Sequence, residues 1–241
     1  MLLYFRAVLF WIGFGITSIC IMLVLAASYF LPLHFRFKMA GYWARATLFW
    51  LRITCNLRYR VEGLENVPKG GRMVVMGNHQ STWETIACNI FFPPAVWVMK
   101  KQVLWIPVLG WSARALQPIA IDRTAGRQAV EQLKTIGKKR LAQGYFVMLF
   151  PEGTRVEPGK KVRYKIGGAV LAEHAQVPVL PFAHNAGKFW HRKQFTKHPG
   201  EVVVKIGKPI DTEGLDATQI LEKVEHWIRS TEQEIANSVA G

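Results

Sequence analysis

From Ala7 to Leu33 the chain runs twenty-seven residues without a formal charge, through Phe10-Trp11-Ile12 and Ile21-Met22-Leu23-Val24-Leu25. A helix of that length can cross a hydrocarbon layer of about 30 Å, and no ordinary surface helix is apolar over so long a stretch. Whatever else the chain folds into must therefore carry a membrane-seeking segment at one end. A cleaved signal peptide is the competing reading, with Ala26-Ala27-Ser28 as its small-residue site. The apolar region before that site exceeds the usual span of about 7–15 residues, and bulky Tyr29-Phe30-Leu31 prolongs it. We expect an uncleaved membrane helix. The residues after it, His34 to Lys38 and then Arg45, Arg52, Arg58 and Arg60, are basic. By the positive-inside tendency they keep the following domain in the cytoplasm.

Half of the 241 residues are hydrophobic, enough for one sizeable core and hardly two. The expectation is an N-terminal membrane-associated part, residues 1–57, followed by one globular domain, residues 58–241. A formal charge of +15 favours a polyanionic neighbour, either an anionic lipid surface or nucleic acid. The apolar segment chooses lipid, and no recognisable nucleic-acid motif supports the alternative, so nucleic acid is not expected as a partner. Cys20, Cys55 and Cys88 show neither paired nor metal-binding spacing, so neither a disulfide nor a metal site is expected. Met39 to Leu57 mixes Trp43, Leu48, Phe49, Trp50, Leu51 and Ile53 with Arg45 and Arg52. That mixture fits an interfacial helix whose arginines reach head groups, and equally a core helix of the domain. A hairpin of two partly embedded helices, in place of one true span, stays open.

Beyond Arg58 short β-rich runs alternate with helical stretches. Met73-Val74-Val75-Met76, Val96-Trp97-Val98-Met99, Tyr145 to Phe150, Val177 to Leu180 and Val202 to Ile206 read as strands, most without alternation and so covered on both faces. Thr124 to Ala142 and Ala217 to Ile235 read as helices, the second repeating apolar residues at Ile220, Leu221, Val224, Trp227 and Ile228. The pattern predicts an α/β fold with a mostly parallel or mixed central sheet flanked by helices.

Two segments carry chemistry. In Asn78-His79-Gln80-Ser81-Thr82-Trp83-Glu84, His79 follows a buried strand at the point where the chain leaves the sheet, a common place for reactive side chains in open α/β folds. A carboxylate on one ring nitrogen would fix the tautomer and leave the other nitrogen to take a proton from an alcohol, making His79 and Glu84 a general-base dyad. Ser81-x-x-Glu84 is also a capping box, in which Glu84 reaches back to the backbone and starts a helix. Spacing does not choose between these roles, and one carboxylate can serve both. The second segment, Phe150-Pro151-Glu152-Gly153-Thr154-Arg155, leaves another apolar strand. There Gly153 permits a tight turn that aims amides at an anion, and Arg155 adds a two-pronged phosphate donor. Arg123, in Ile121-Asp122-Arg123, ends a hydrophobic stretch that would bring it to the same edge, or it pairs with Asp122 as a solvated loop charge.

Taken in order, Asn-His-x-x-x-x-acid, Ile-Asp-Arg, Phe-Pro-Glu-Gly-Thr-Arg and Val-Pro-Val-Leu-Pro resemble the four blocks of the glycerolipid acyltransferases, most closely the bacterial 1-acyl-glycerol-3-phosphate acyltransferases. The resemblance runs from about Tyr59 to Ile210 and takes in the lysine-rich segment at Met99-Lys100-Lys101 and the stretch Tyr164-Lys165-Ile166-Gly167-Gly168. It implies acyl transfer from acyl-coenzyme A or acyl carrier protein, as donor substrate and with no cofactor, to lysophosphatidic acid, giving phosphatidic acid. It also implies a membrane-docking N-terminal hairpin and a bacterial inner membrane, with the catalytic domain on the cytoplasmic face. His79 takes the family's base role and Glu84 its acidic partner. Arg123, Glu152, Gly153, Thr154 and Arg155, with Lys100 and Lys165, fall to substrate binding. The departure is Glu84, where many members carry Asp, which makes the pair's hydrogen-bond geometry the point to examine.

Overall fold

The structure, a computed structural model, describes residues 1–122 and 124–238. In chain order its helices are α1 (Leu2–Ala27), α2 (Leu33–Cys55), α3 (Trp83–Phe91), α4 (Leu109–Ala115), α5 (Arg127–Ala142), α6 (Gly167–Ala175) and α7 (Ala217–Ser238). The strands are β1 (Leu57–Glu62), β2 (Val74–Gly77), β3 (Ala95–Lys100), β4 (Ile119–Ile121), β5 (Phe146–Leu149), β6 (Val179–His184) and β7 (Gly200–Ile206). They form one sheet in the order β1-β7-β6-β2-β5-β3-β4. All neighbours pair in parallel except β6 and β7, so the expected mixed α/β sheet is what forms.

The central strands β2, β5 and β6 are buried along their whole length, as their unbroken apolar runs require. One face is closed by α2 and α3, whose Leu48, Leu51, Trp83, Ile86 and Ala87 meet Val75, Phe146, Met148 and Phe182. The other is closed by α5, α6 and α7, through Leu133, Leu171, Ile220, Val224 and Ile228 against Val74, Val147, Leu149 and Val179. Two strands were not anticipated. β1 is an edge strand paired only with β7, and its outward Arg58 and Arg60 read as flanking charges of the apolar segment. β4 has only three residues.

The long uncharged run does not make one helix. It is α1, a 3-10 turn at Ser28–Phe30, and then Pro32 at the start of α2, which folds back antiparallel to α1. Trp50 Nε1 donates to Leu9 O at 3.2 Å and Cys55 Sγ contacts Arg6 O, so the end of α2 meets the beginning of α1. Gly13 makes room for the Trp50 indole, since a Cβ there would lie 2.3 Å from its Nε1. On α2 the core reading holds for the face carrying Ala44, Leu48, Leu51 and Cys55, while Tyr42, Phe49 and Ile53 stay exposed on the other. Phe10 of α1 joins the same core. A stripe at Phe5, Leu9, Ile12, Ile16, Ile19 and Leu23 remains exposed, at helical spacing and wholly apolar. Among the described residues, Leu2–Phe30 is the one stretch long and apolar enough to cross a membrane.

Candidate active site

Because β6, β2, β5, β3 and β4 run parallel, their carboxyl ends share one edge of the sheet. Open α/β sheets bind ligands at that edge. His184 closes β6, Asn78 and His79 follow β2, Phe150 to Arg155 follow β5, Lys100 ends β3 and Asp122 follows β4. The separated motifs thus converge because of strand direction and adjacency.

His79 Nδ1 lies 2.8 Å from Glu84 Oε1, and the same oxygen accepts the backbone N–H of Gln80 at 2.9 Å and of Ser81 at 2.7 Å. Ser81 Oγ in turn accepts Trp83 N–H. Glu84 therefore holds the backbone amides that lead into α3 and the ring of His79 at once, through a single oxygen. Its side chain is 1% exposed. Burial pushes this carboxyl up, but the two neighbouring imidazoles, His184 and His79, and the Ser81 N–H outweigh it and hold Glu84 below the usual carboxylate range. An ionised carboxylate only accepts, so the proton on His79 belongs to Nδ1 and Nε2 keeps its lone pair. The ring is stacked on Phe150, centroids 4.0 Å apart and planes 4° from parallel, which fixes its plane.

Behind the pair sits His184, fully buried, with Nε2 at 3.8 Å from Glu84 Oε2. Burial depresses its basicity against the pull of Glu84, and Nδ1 accepts the Ala186 N–H, so the ring donates from Nε2 to Asn78 O at 3.0 Å. Glu152 does not face outward. Its Oε2 accepts the backbone N–H of His79 at 3.0 Å, and His79 O accepts Val156 N–H at 2.7 Å. Burial foremost, then the charges of Glu232 and Glu84, push the Glu152 carboxyl up to about 8 against the pull of that N–H. Two carboxyls beside one histidine are thus driven apart, Glu84 ionised and Glu152 protonated near neutrality.

Gly153 has φ of +71°, and Lys165 Cε and Nζ lie 2.9 Å from where its Cβ would be, so the lysine crosses over the turn. Lys165 N–H also binds Pro151 O at 2.8 Å. Thr154 is exposed and Arg155 partly so, with Arg192 Nη1 bound to the Arg155 carbonyl. Lys100 stands opposite Ile121 in the β3–β4 ladder. The Thr124 hydroxyl and N–H foremost, then the charges of Lys101 and Lys100, hold the Asp122 carboxyl below its usual range. Arg123 lies outside the described residues. His79, Glu84, Glu152, Gly153, Arg155 and Lys165 are brought together around the ends of β2 and β5, whereas Lys100 stands a strand further along. Sequence reasoning missed Phe150 as a stacking ring, and it missed His184 and Glu232. Phe150 carried a usable signal, an aromatic at the last position of an apolar strand beside the turn.

A histidine paired with a buried acid at the carboxyl edge of an α/β sheet, next to a glycine turn and basic side chains, marks this edge as the candidate site. The Acyltransferase family model matches residues 58–185, and the chain belongs to that family. It is 39% identical over 210 residues to the 1-acyl-sn-glycerol-3-phosphate acyltransferase of Pseudomonas aeruginosa, covering 86% of this chain and 81% of that one. It is 28% identical over 202 residues to the human 1-acyl-sn-glycerol-3-phosphate acyltransferase alpha, covering 82% and 71%. The crystal structure of the 1-acyl-sn-glycerophosphate (LPA) acyltransferase PlsC from Thermotoga maritima superposes with a TM-score of 0.80 over 96% of this chain and 95% of that one. At 24% identity that likeness speaks for the fold.

Proposed function

We propose that this protein transfers an acyl group from a thioester, acyl-coenzyme A or acyl carrier protein, to the free hydroxyl of lysophosphatidic acid, giving phosphatidic acid. The 2.8 Å contact between His79 Nδ1 and Glu84 Oε1 carries the reading. With the proton held on Nδ1, Nε2 takes the proton of the acceptor hydroxyl as its oxygen bonds to the thioester carbonyl carbon. Collapse of the tetrahedral intermediate breaks the C–S bond, and the sulfur leaves with the proton from the imidazolium. A thioester is already activated, so the step needs neither a covalent enzyme intermediate nor a cofactor.

Arg155 and Lys165, beside the Gly153 turn, are suited to the acceptor's phosphate, which would fix its hydroxyl near His79. Glu152 holds the His79 backbone on one side of that turn. The lipid end of the acceptor has a route as well. Ser81 Oγ binds Trp190 O at 2.8 Å, and Trp190 packs on Phe10, Trp11 and Phe14 of α1. The catalytic loop is therefore joined to the apolar helix, whose exposed stripe lies against one leaflet of a bacterial inner membrane, with the domain on the cytoplasmic face.

Incubating the purified protein with lysophosphatidic acid and a panel of acyl thioesters, and following the lipid products, tests the reading. Phosphatidic acid is expected, at rates well above those for lysolipids without a terminal phosphate. Equal turnover on phosphate-free acceptors would remove the acceptor assignment, and no acylated product from any thioester would sink the reaction itself.

A further inference from the structure

α7 lies beyond the residues matched by the family model, and its core face, Ile220, Val224, Ile228, Thr231 and Ile235, packs it against β6 and α6. Its acids mostly behave as solvated surface charges: Glu225 pairs with Arg229 and exposed Glu234 with Lys205. Glu232 differs. Its Oε1 accepts the side-chain N–H of Asn78 at 2.8 Å and of Gln80 at 2.9 Å. These are the two residues that flank His79.

We propose that Glu232 is a positioning residue for the catalytic base, acting by fixing the side-chain amides of Asn78 and Gln80 on either side of His79. This rests on the reading of His79 as the base. An amide side chain offers two donors at one end and an acceptor at the other, and only its partners decide which end points where. A carboxylate accepts and never donates, so Glu232 turns both NH2 groups toward α7. The rest of each amide is then determined. Asn78 Nδ2 has its second hydrogen on His184 O at 2.8 Å, while Oδ1 accepts His184 N–H at 3.0 Å. Gln80 Oε1 accepts Gly187 N–H at 3.2 Å. Asn78 is fully buried, so water cannot replace a lost partner, and turning its amide over would break both bonds to His184. The carboxyl thereby ties α7 to the loop that carries the base, and the loop to the end of β6. His79 itself is held separately, by its N–H on Glu152, its C=O on Val156 N–H and its ring on Glu84. Displacing a catalytic group by about 1 Å costs roughly a hundredfold in rate.

The test uses the full chain in detergent micelles or nanodiscs, assayed with lysophosphatidic acid and the best thioester, with Glu232→Ala and Glu232→Gln side by side. Glu232→Ala is expected to lower kcat by about 10- to 100-fold while KM for lysophosphatidic acid stays within about twofold, because the base is displaced and the phosphate site is not. Glu232→Gln keeps an acceptor oxygen for both amides and should restore kcat to within about threefold of wild type. Wild-type kcat in Glu232→Ala overturns the proposal. So does equal loss in both variants with a raised KM, which would mean that Glu232 acts by charge on the acceptor. If Glu232→Ala fails to fold by circular dichroism, Gln80→Met removes one of the two amides and leaves the Asn78 bond. It should lower kcat about tenfold at unchanged KM, and wild-type kcat there overturns the proposal equally. His79→Ala, run alongside, separates the two readings: activity in that variant removes the base assignment, whereas its inactivity with a normal Glu232→Ala removes only the role of Glu232.

Discussion

Glu84 is a fully buried carboxylate whose ionised state depends on its donors, and three of them converge on Oε1. Replacing it by Gln keeps the shape but withdraws the negative charge that stabilises an imidazolium and fixes the tautomer. We expect Glu84→Gln to lower kcat by about 10² to 10⁴-fold in the lysophosphatidic acid assay. Glu84→Asp, one methylene shorter, should keep kcat within about tenfold, since a small shift at the start of α3 restores the contact. A drop as deep as that of the Gln variant would show that the pair depends on the longer side chain. Glu152 makes the opposite prediction for pH. Its carboxyl ionises near 4.5 when solvated and near 8 in the fold, so the native state holds the proton more tightly. Its contribution to stability is complete below about 4.5 and is lost as pH rises towards 8. Glu152→Gln removes that loss and can still accept the His79 N–H. Thermal unfolding from pH 5 to 8 should therefore show wild-type Tm falling relative to the variant as pH rises, and parallel curves would contradict the shifted carboxyl.

At the scale of elements, the α1–α2 seam is set by where small residues fall. A Cβ on Gly13 would stand 2.3 Å from Trp50 Nε1, whereas one on Gly15 meets nothing within 4 Å. Gly13→Leu must therefore push the helices apart and break the Trp50 bond to Leu9 O, at a cost of about 1–3 kcal/mol from overpacking. That corresponds to a fall in Tm of about 2–10 °C for a chain of this size, while Gly15→Leu, two positions away, should hold or raise Tm. An equal fall in both variants would show that helix content, and not this contact, sets the stability. The same scale explains what could be read beforehand. Strands buried on both faces announce themselves as unbroken apolar runs, as in β2, β5 and β6, and the apolar stretches within β3 and β7 were long enough to read as well. β1 was not, because an edge strand exposes one face and its arginines have a second explanation in the flank of an apolar segment. The turn that divides α1 from α2 did have a marker in Pro32, but absence of charge dominates the pattern through Leu33. Within the site, His79, Glu84 and Arg155 could be read as short motifs that follow strands, and Lys165 only through the family resemblance. His184 and Glu232 were not, since the bond from Asn78 to Glu232 spans 154 positions and no local spacing encodes it.

For the whole molecule, the decisive property is that α1 is apolar on both of its sides. The inner side is satisfied by protein, through Ala7, Phe10 and Leu25, and by contacts that run from the Trp190–Phe195 loop at one end to α4 at the other, where Tyr29 Oη donates to Trp111 O. A helix held to the domain along its length presents its outer stripe at the domain's surface, and a lipid phase would remove such a stripe from water. Replacing Ile12, Ile16 and Ile19 together by Ser touches no core contact, because all three are exposed, so the fold should be retained. Each apolar side chain transferred into lipid is worth about 1.5–3 kcal/mol, so the triple variant should bind vesicles at least about 100-fold more weakly. Flotation with vesicles containing anionic phospholipid reads this directly, and the residual binding should fall further with salt, because basic residues contribute about 1 kcal/mol each near such a surface. Turnover on a short-chain lysophosphatidic acid soluble in water should be close to wild type, since none of the three residues lies in the site described above. Flotation equal to wild type would mean that the stripe is covered by something other than the bilayer. Loss of turnover on the soluble acceptor would instead place α1 inside the catalytic machinery.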